Sequence, residues 1–256
     1  MNKTDLYRLF VDVLKDGKVL IDEPMKRHTS FKIGGPVDVM VVPGSEEELI
    51  KAIEICRNNN IDYIVMGNGS NILVSDNGIS GVVIKISEEL GKITINETNL
   101  RAQAGALLTV VSKRAFKACL KGLEFASGIP GSIGGAVTMN AGAYGGEMKD
   151  VVTKVKCIDK DGKIVMLSNE EMNFGYRRSR VQDEELIVME VEMKLSKGNY
   201  DEIQGRMRDY NKRRITKQPL ELPSGGSTFR RPEGYYAGKL IEDAGRPKRT
   251  TRQDPG

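Results

Sequence analysis

The sequence predicts an α+β fold, in which short strands and hairpins are mixed with amphipathic helices instead of alternating with them regularly. Three observations predict it. Residues Val37–Val42 alternate and are rich in β-branched side chains, as strands are. Ser45 and Glu48 then form a capping box, a pair that is typical of a helix N-terminus. Further along, Asp161 and Gly162 separate two strand-like runs, which indicates a hairpin.

The same patterns predict the other elements. Apolar residues at helical spacing predict an amphipathic N-terminal helix that Gly17 stops. A helix over 45–60 follows the first strand, and a second amphipathic helix over 106–121 ends at Gly122. Ser168 and Glu171 form another capping box. Strands are predicted at 62–67, 81–86, 92–95, 99–105, 151–159, 163–167 and 185–195.

The character of the chain changes near Ser196–Asn199. Residues 199–219 are polar and predict a helix with Ile203, Met207 and Tyr210 on one side. We therefore predict a domain boundary at this point. The expected parts are a first unit at 1–197, a smaller second unit at 198–245, and a tail at 246–256.

Composition excludes several classes of function. The chain has 256 residues, of which 39% are hydrophobic and 29% charged, as in soluble globular proteins. There is no run of about 18 apolar residues and no secretory signal, so we expect a cytoplasmic protein without a transmembrane helix. The three cysteines show no CxxC spacing, and His28 is the single histidine. We therefore expect the cysteines in the core and no metal site.

The net charge of +4 is mostly a property of the tail. Its eleven residues contain four basic residues and one acidic residue, or +3, which leaves about +1 for the rest of the chain. We therefore expect no binding to nucleic acid. The tail also contains two prolines and no apolar side chain, so we expect it to be disordered.

Two glycine-rich stretches suggest a binding site. They are "GNGSN" at 67–71 and "GIPGSIGGAVTMNAGAYGG" at 128–146. Glycine lets a backbone N–H approach a ligand closely, and successive N–H groups form anion-binding nests. Neither stretch matches the Walker A or the dinucleotide fingerprint, since Ile72 stands where the latter needs its last glycine. Either stretch alone is equally typical of a tight turn beside a sheet, but the two together favour a phosphate-rich cofactor.

Five motifs occur in the order of a known family. They are "HTSFKIGGPVDVMVVP", "GNGSNILVSDNGISGVVI", "GLEFASGIPGSIGGAVTMNAGAYGGEM", "NFGYRRSR" and "PSGGSTFRRPEGYYAGKLIEDAG". From about Met25 to Gly245 the chain resembles the UDP-N-acetylenolpyruvoylglucosamine reductases, flavoenzymes of peptidoglycan precursor synthesis. The resemblance implies a two-lobed FAD-binding module of the vanillyl-alcohol-oxidase (PCMH) type in the first unit. It implies a smaller, incomplete α+β substrate domain in the second.

The resemblance implies non-covalent FAD as cofactor, NADPH as co-substrate and a UDP-sugar enolpyruvyl ether as substrate. Backbone N–H groups would hold the FAD diphosphate, and Gly34 and Gly35 would form a turn near the adenine. It implies a monomer with no membrane or nucleic-acid partner. The positions expected to bind FAD are Gly67, Asn68, Gly69, Ser70, Asn71, Ile72, Gly128, Ile129, Pro130, Gly131, Ser132, Gly134, Gly135, Asn140, Ala141 and Gly142.

The resemblance also assigns two catalytic residues. Arg177 matches the family arginine that faces the substrate carboxylate, a task that suits a planar, bidentate guanidinium. Ser227 matches the serine that donates a proton to the carbanion formed by hydride addition. Without the resemblance, the three arginines of "YRRSR" indicate a solvated face and Ser227 an ordinary glycine-loop turn. His28 is either near the flavin or structural. Candidate substrate or phosphate contacts are Tyr176, Arg230 and Arg231.

The chain departs from the family after Gly245. Family members continue with an apolar, glycine-rich segment whose glutamate assists the arginine and the serine, and we find no candidate for that glutamate. Glu233 and Glu242 lie within other motifs. We therefore expect a truncated or frameshifted reductase with weak or absent turnover and an exposed apolar patch in its second unit. The alternative is a non-catalytic FAD-binding remnant.

Overall fold

The computed structural model describes residues 1–218, 220–229 and 232–245. The N-terminal part of the protein is built on a four-stranded sheet. The sheet order is β1-β2-β4-β3. The first strand is antiparallel to its neighbour, and the other three strands are parallel. The strands are β1 at Lys18–Pro24, β2 at Pro36–Val42, β3 at Tyr63–Met66 and β4 at Ile79–Lys85.

Both faces of this sheet are buried. In β4, Val82 and Ile84 point into one apolar cluster and Val83 into another, as the pleat of a strand requires. Two helices, α1 at Lys3–Val11 and α2 at Glu46–Asn58, contribute buried side chains to the first of these clusters. Burial on both sides explains why the predicted strands are almost continuously apolar.

The second sheet is antiparallel, with five strands in the order β11-β10-β12-β6-β5. The hairpin predicted at Asp161 and Gly162 joins two of its strands, and Gly162 has a φ of +81°. The strands are β5 at Ile93–Asn96, β6 at Asn99–Gln103, β10 at Val152–Ile158, β11 at Ile164–Ser168 and β12 at Ile187–Lys194. The short pairs are β7 at Leu120–Lys121 with β13 at Ser196–Lys197, and β8 at Gly142–Ala143 with β9 at Gly146–Glu147.

One apolar cluster runs through both sheets. It extends from Leu6 in the first helix to Leu195 after β12, and it includes side chains of α3 at Leu108–Lys117 and α4 at Ile133–Thr138. The predicted mixture of hairpins and helices is therefore confirmed as a two-lobed α+β architecture. Because the lobes share a core, the loops between them are held at a fixed spacing.

The cysteines lie in the apolar packing that the sequence predicts for them. Cys56 and Cys157 are fully buried, and burial raises the pKa of each thiol to about 12. Both therefore remain protonated and unreactive at neutral pH. Cys119 is half-buried and, like the other two, is a free thiol.

The helix that follows the predicted boundary near Ser196–Asn199 packs against residues that precede that boundary. Helix α6 at Tyr200–Lys217 starts after Asn199, whose side chain accepts hydrogen bonds from two backbone N–H groups. Ile203 is buried and Met207 is half-buried, as predicted. Arg206 pairs with Glu124 of the first unit at 3.6 Å.

Beyond α6 the described chain has little core of its own. Helix α7 at Ala237–Asp243 has no buried residue, and the short helix α5 lies earlier, at Arg180–Asp183. In the described residues, this segment leaves large apolar side chains exposed. Its large side chains include Leu222, Phe229, Tyr235, Tyr236 and Leu240.

The Glu48 side chain makes different hydrogen bonds from those that the predicted capping box implies. The Ser45 hydroxyl accepts from the Glu48 N–H at 3.2 Å, as expected. The Glu48 carboxylate, however, accepts from the N–H groups of Lys15, Asp16 and Gly44 at 2.7–2.8 Å. Burial raises the pKa of this carboxyl, but these backbone bonds outweigh burial and lower it overall. Glu48 therefore fastens the turn after α1 to the start of α2.

We expect Glu48→Gln to lower the free energy of unfolding by about 2 kcal/mol at pH 7, since charged hydrogen bonds to a buried carboxylate are lost. Because folding lowers the Glu48 pKa, this stabilisation is present at neutral pH and disappears as the pH falls through the folded-state pKa. Urea unfolding of both proteins between pH 3 and 7 measures the difference. The exposed neighbour Glu47→Gln is the control, and a difference independent of pH would refute this account.

Candidate functional site

The two glycine-rich stretches meet in the structure, although about 60 residues separate them in sequence. The Asn68 side-chain amide donates to the carbonyl of Pro130 at 2.8 Å. A Cβ added to Gly67 would overlap the Ser132 hydroxyl. A Cβ on Gly131 would lie 3.6 Å from the Ser70 hydroxyl. The first stretch follows β3 and the second contains α4, so the two stretches belong to different lobes.

Unpaired backbone donors distinguish these loops. Within the described residues, the five N–H groups of Gly67–Asn71 donate to no protein acceptor, and those of Gly131 and Ser132 do not either. Nearly all buried backbone N–H groups in proteins are paired, so a run of unpaired ones indicates that a ligand or solvent accepts from them. Gly69 has a φ of +65°, and its missing side chain leaves room for the carbonyl of His28. We call these seven N–H groups the amide cradle.

A cavity of about 290 Å³ lies between the lobes beside the cradle. Gly67, Asn68 and Lys85 line it from the first lobe, and Gly105 and Ser132 line it from the second. Its volume is close to the lower end of the ~300–1,000 Å³ range of small-molecule sites. Gly34 and Gly35 line a different cavity, of about 580 Å³, which shares no lining residue with the first.

Other glycines of the second stretch have their N–H groups engaged within the protein. The Gly134 N–H donates to the carbonyl of Ala104 at 2.9 Å, and a Cβ there would be 2.9 Å from the Ala104 side chain. The Gly135 N–H donates to the Ser132 hydroxyl, which caps α4. Gly134 therefore lets the helix pack closely on the backbone that follows β6. Ile129 likewise donates its N–H to Ala126, and the carbonyl of Gly128 accepts from Arg214.

The end of the second stretch is tied to the segment that contains Arg177. Asn140 is buried, and its side chain donates to Glu147 and to the carbonyl of Gly175, each at 3.0 Å. The Arg177 guanidinium donates to the carbonyl of Gly142 at 3.3 Å. Ala141 is buried between these two contacts. The structure therefore brings Asn140, Ala141, Gly142 and Arg177 together.

Arg177 differs from its arginine neighbours in its partners. Arg178 pairs with Asp183 at 2.7 Å and Arg180 pairs with Glu184 at 2.8 Å. Arg177, within the described part of the chain, pairs with no carboxylate, and its guanidinium lies 5.5 Å from the centroid of the Tyr176 ring. It is therefore the arginine of this motif that is available to an anionic substrate.

Ser227 lies near the Gly67–Asn71 loop of the amide cradle. Ser224 and Ser30 exchange hydrogen bonds at 2.6 and 3.1 Å, which fixes this segment on the first lobe. A Cβ on Gly226 would lie 3.9 Å from the carbonyl of Ser70. Ser227 itself is exposed, and no hydrogen bond joins it to Arg177 in the described residues. Arg230 and Arg231, two further predicted contacts, lie outside the described residues.

Sequence reasoning missed Lys85 and left the role of His28 open. His28 lies behind the amide cradle, with Nε2 2.9 Å from Glu23 Oε1 and Nδ1 2.9 Å from Lys85 Nζ. The only sequence signal for Lys85 is a lysine at the end of the apolar run "GVVIK".

Comparisons with known proteins agree with this geometry. A family model described as "FAD binding domain" matches residues 37–168, which contain the whole amide cradle. A glucose dehydrogenase, Phl p 4.0202, shares the fold with a TM-score of 0.57 at 15% identity over 75% of this chain and 44% of that one. The chain is therefore a flavoprotein with an FAD-binding module of the PCMH type.

More similar proteins give the family. The chain is 51% identical over 245 residues to UDP-N-acetylenolpyruvoylglucosamine reductase of Clostridioides difficile (strain 630), which covers 96% of this chain and 81% of that protein. This chain also resembles the crystal structure of UDP-N-acetylenolpyruvylglucosamine reductase (MurB) from Thermus caldophilus, with a TM-score of 0.75 and 34% sequence identity. The match covers 90% of this chain and 80% of that one. The chain belongs to the UDP-N-acetylenolpyruvoylglucosamine reductase family.

The residues present fit FAD. The amide cradle supplies donors to a diphosphate. The Ser127 hydroxyl, four residues before Gly131 in the sequence, is buried with no hydrogen-bond partner in the described chain. Across the described ranges, no helix combines the length and apolarity needed to cross a bilayer. No group of three His, Cys, Asp or Glu side chains in those ranges is arranged to hold a metal ion.

We expect Gly67→Ala to raise the dissociation constant for FAD at least ~10-fold, or 1.4 kcal/mol, because the new methyl group would push Ser132 and its loop away. Flavin fluorescence titration of the apoprotein measures the constant. Gly205→Ala, in the middle of α6 with nothing within 4 Å of the added Cβ, is the control and should leave FAD binding unchanged. Equal affinities for the two variants would show that the approach of the loops is not required.

Proposed function

We propose that this protein reduces the enolpyruvyl ether of UDP-N-acetylglucosamine to UDP-N-acetylmuramate, with NADPH as the hydride donor. One observation supports it most directly: Arg177, the arginine of its motif without a carboxylate partner in the described chain, lies at the end of the FAD-binding stretch. The relatives at 51% and 55% identity are named as this reductase. We also propose that it acts in the cytoplasm as a monomer.

The residues of the amide cradle would hold the diphosphate of FAD. Their N–H groups would donate charge-assisted hydrogen bonds, which are about twice as strong as neutral ones. Bound FAD supplies the chemistry that moves a hydride from NADPH to the vinyl carbon of the substrate. Residues 1–197 would form the FAD-binding domain and residues 198–245 the substrate domain. The tail predicted at 246–256, with its expected disorder, lies outside the described residues.

Arg177 would stabilise the charge that hydride addition creates. The negative charge develops on the carbon next to the substrate carboxylate, and a bidentate guanidinium can pair with both as an enolate. The carbonyl of Gly142 and the ring of Tyr176 keep the guanidinium at the edge of the site. Tyr176 would therefore position Arg177 as well as contact the substrate.

Ser227 would return a proton to the same carbon. A hydroxyl is acidic enough for this step because a carbanion is a far stronger base than an alkoxide. The contacts of Ser224 and Gly226 with the first lobe support a location near the cofactor. The exposed Ser227 hydroxyl accepts or donates no hydrogen bond within the described residues, so substrate has no internal competitor for it.

An anaerobic absorption experiment tests the proposal. Purified protein should show flavin bands that bleach with NADPH and return when the enolpyruvyl substrate is added. The second candidate function is FAD binding without turnover, which the exposed Ser227 and the unburied α7 favour. Flavin bands that NADPH does not bleach, or that the substrate does not restore, would select it. Colourless protein that takes up no FAD would overturn both.

We expect Arg177→Met to lower kcat for the enolpyruvyl substrate at least about 100-fold, because a cation opposite the developing charge is removed. Binding of FAD should change less than about twofold, since the amide cradle does not involve this side chain. Steady-state kinetics and FAD titration measure the two quantities. Arg178→Met, which removes an arginine already paired with Asp183, is the control. Comparable losses in both variants would contradict the role of Arg177.

We expect Ser227→Ala to slow the return of flavin absorbance after substrate addition about 100-fold or more, the range of general acid catalysis. The bleaching of the flavin by NADPH should proceed at the original rate, because it needs no proton from this residue. Stopped-flow absorbance follows both half-reactions separately. Thr228→Val, the adjacent exposed hydroxyl, is the control. A normal return of absorbance in Ser227→Ala would exclude the serine as the proton donor.

A further inference from the structure

Lys85 is a half-buried lysine with an incomplete set of partners. It ends β4 directly opposite Met66, the residue that precedes the amide cradle. Its ammonium has three donors and no acceptor capacity. One donor is used by His28 Nδ1 at 2.9 Å. Within the described residues the other two have no hydrogen-bond partner, and no carboxylate lies within 4.0 Å of the ammonium.

The hydrogen bonds of His28 determine which nitrogen of its ring carries the proton. Because the lysine can only donate, His28 Nδ1 must accept, so the ring proton is on Nε2. Nε2 then donates to Glu23 Oε1 at 2.9 Å. Glu23 and His28 thus hold the lysine in place through a chain of hydrogen bonds. The carboxylate at the end of that chain does not neutralise the ammonium directly.

The position of Lys85 links it to the cofactor site. Lys85 lines the same cavity as Gly67, Asn68 and Ser132. The backbone that bears His28 is also packed against the cradle, because the N–H of Ser30 donates to the carbonyl of Gly69 at 3.0 Å. One short segment, residues 28–30, therefore positions both the cradle loop and the lysine.

We infer that Lys85 is a cationic ligand of the FAD diphosphate, positioned for it by His28 and Glu23. The inference rests on FAD binding and does not depend on the reductase reaction. It adds a basic side chain to a site for which the sequence predicts backbone donors. Burial lowers the pKa of Lys85, although Glu89 and Glu23 raise it, so an approaching dianion would stabilise the charged form.

Binding of ADP and riboflavin to the apoprotein separates this role from a structural one. ADP contains the diphosphate, whereas riboflavin contains the ring system without any phosphate. We expect Lys85→Met to weaken FAD and ADP binding at least about 10-fold and to change riboflavin binding less than about twofold. Isothermal titration calorimetry measures all three. Lys51→Met, an exposed lysine on α2, is the control for net charge.

His28→Gln is the second variant, and it keeps the lysine charge while breaking the link to Glu23. We expect ADP binding to weaken about threefold, with riboflavin binding unchanged. ADP affinity of Lys85→Met within twofold of the unmodified protein would overturn the inference. Equal losses for ADP and riboflavin, or loss of folding in both variants as seen by circular dichroism, would assign Lys85 a structural role instead. If the unmodified protein binds neither FAD nor ADP, the cofactor site itself is wrong.

Discussion

The arrangement of the site depends on backbone N–H groups that have no partner among the residues that the structure describes. Gly67–Asn71 and Gly131–Ser132 come from different lobes, and the Asn68–Pro130 hydrogen bond holds them beside each other. An unpaired backbone amide destabilises the folded chain unless a ligand or water accepts a hydrogen bond from it. If the amide cradle holds the FAD diphosphate, as we propose, FAD binding would offset this cost and stabilise the folded protein.

The shared core is what allows such a site to exist. The apolar cluster that joins the two sheets fixes the distance between the lobes, and Gly134 lets α4 approach the Ala104 backbone. A cradle made of backbone groups cannot adapt its reach by changing rotamers, as arginine or lysine side chains do. Its precision therefore derives from the packing behind it.

Local patterns were sufficient to predict most strands and helices, because each depends on the spacing of its own apolar residues. The hairpin at Gly162 and the start of α6 after Asn199 are examples. The targets of long side chains could not be predicted, since they depend on how elements assemble. Glu48 bonds a turn more than thirty residues away. The Lys85 partners are on a different strand and a separate turn, so the end of an apolar run was its only signal.

The choice among the three arginines illustrates how structure adds to resemblance. In sequence, Arg177, Arg178 and Arg180 are equivalent cations, and only the family motif selects the first. In the structure the other two are neutralised by Asp183 and Glu184. Those carboxylates lie five and four residues further along the chain, so the pairing is local and the remaining charge is left for a ligand. On the proposed function, Arg177 is therefore the charge of this motif that meets the anionic substrate, because its two neighbours are already paired within their own segment.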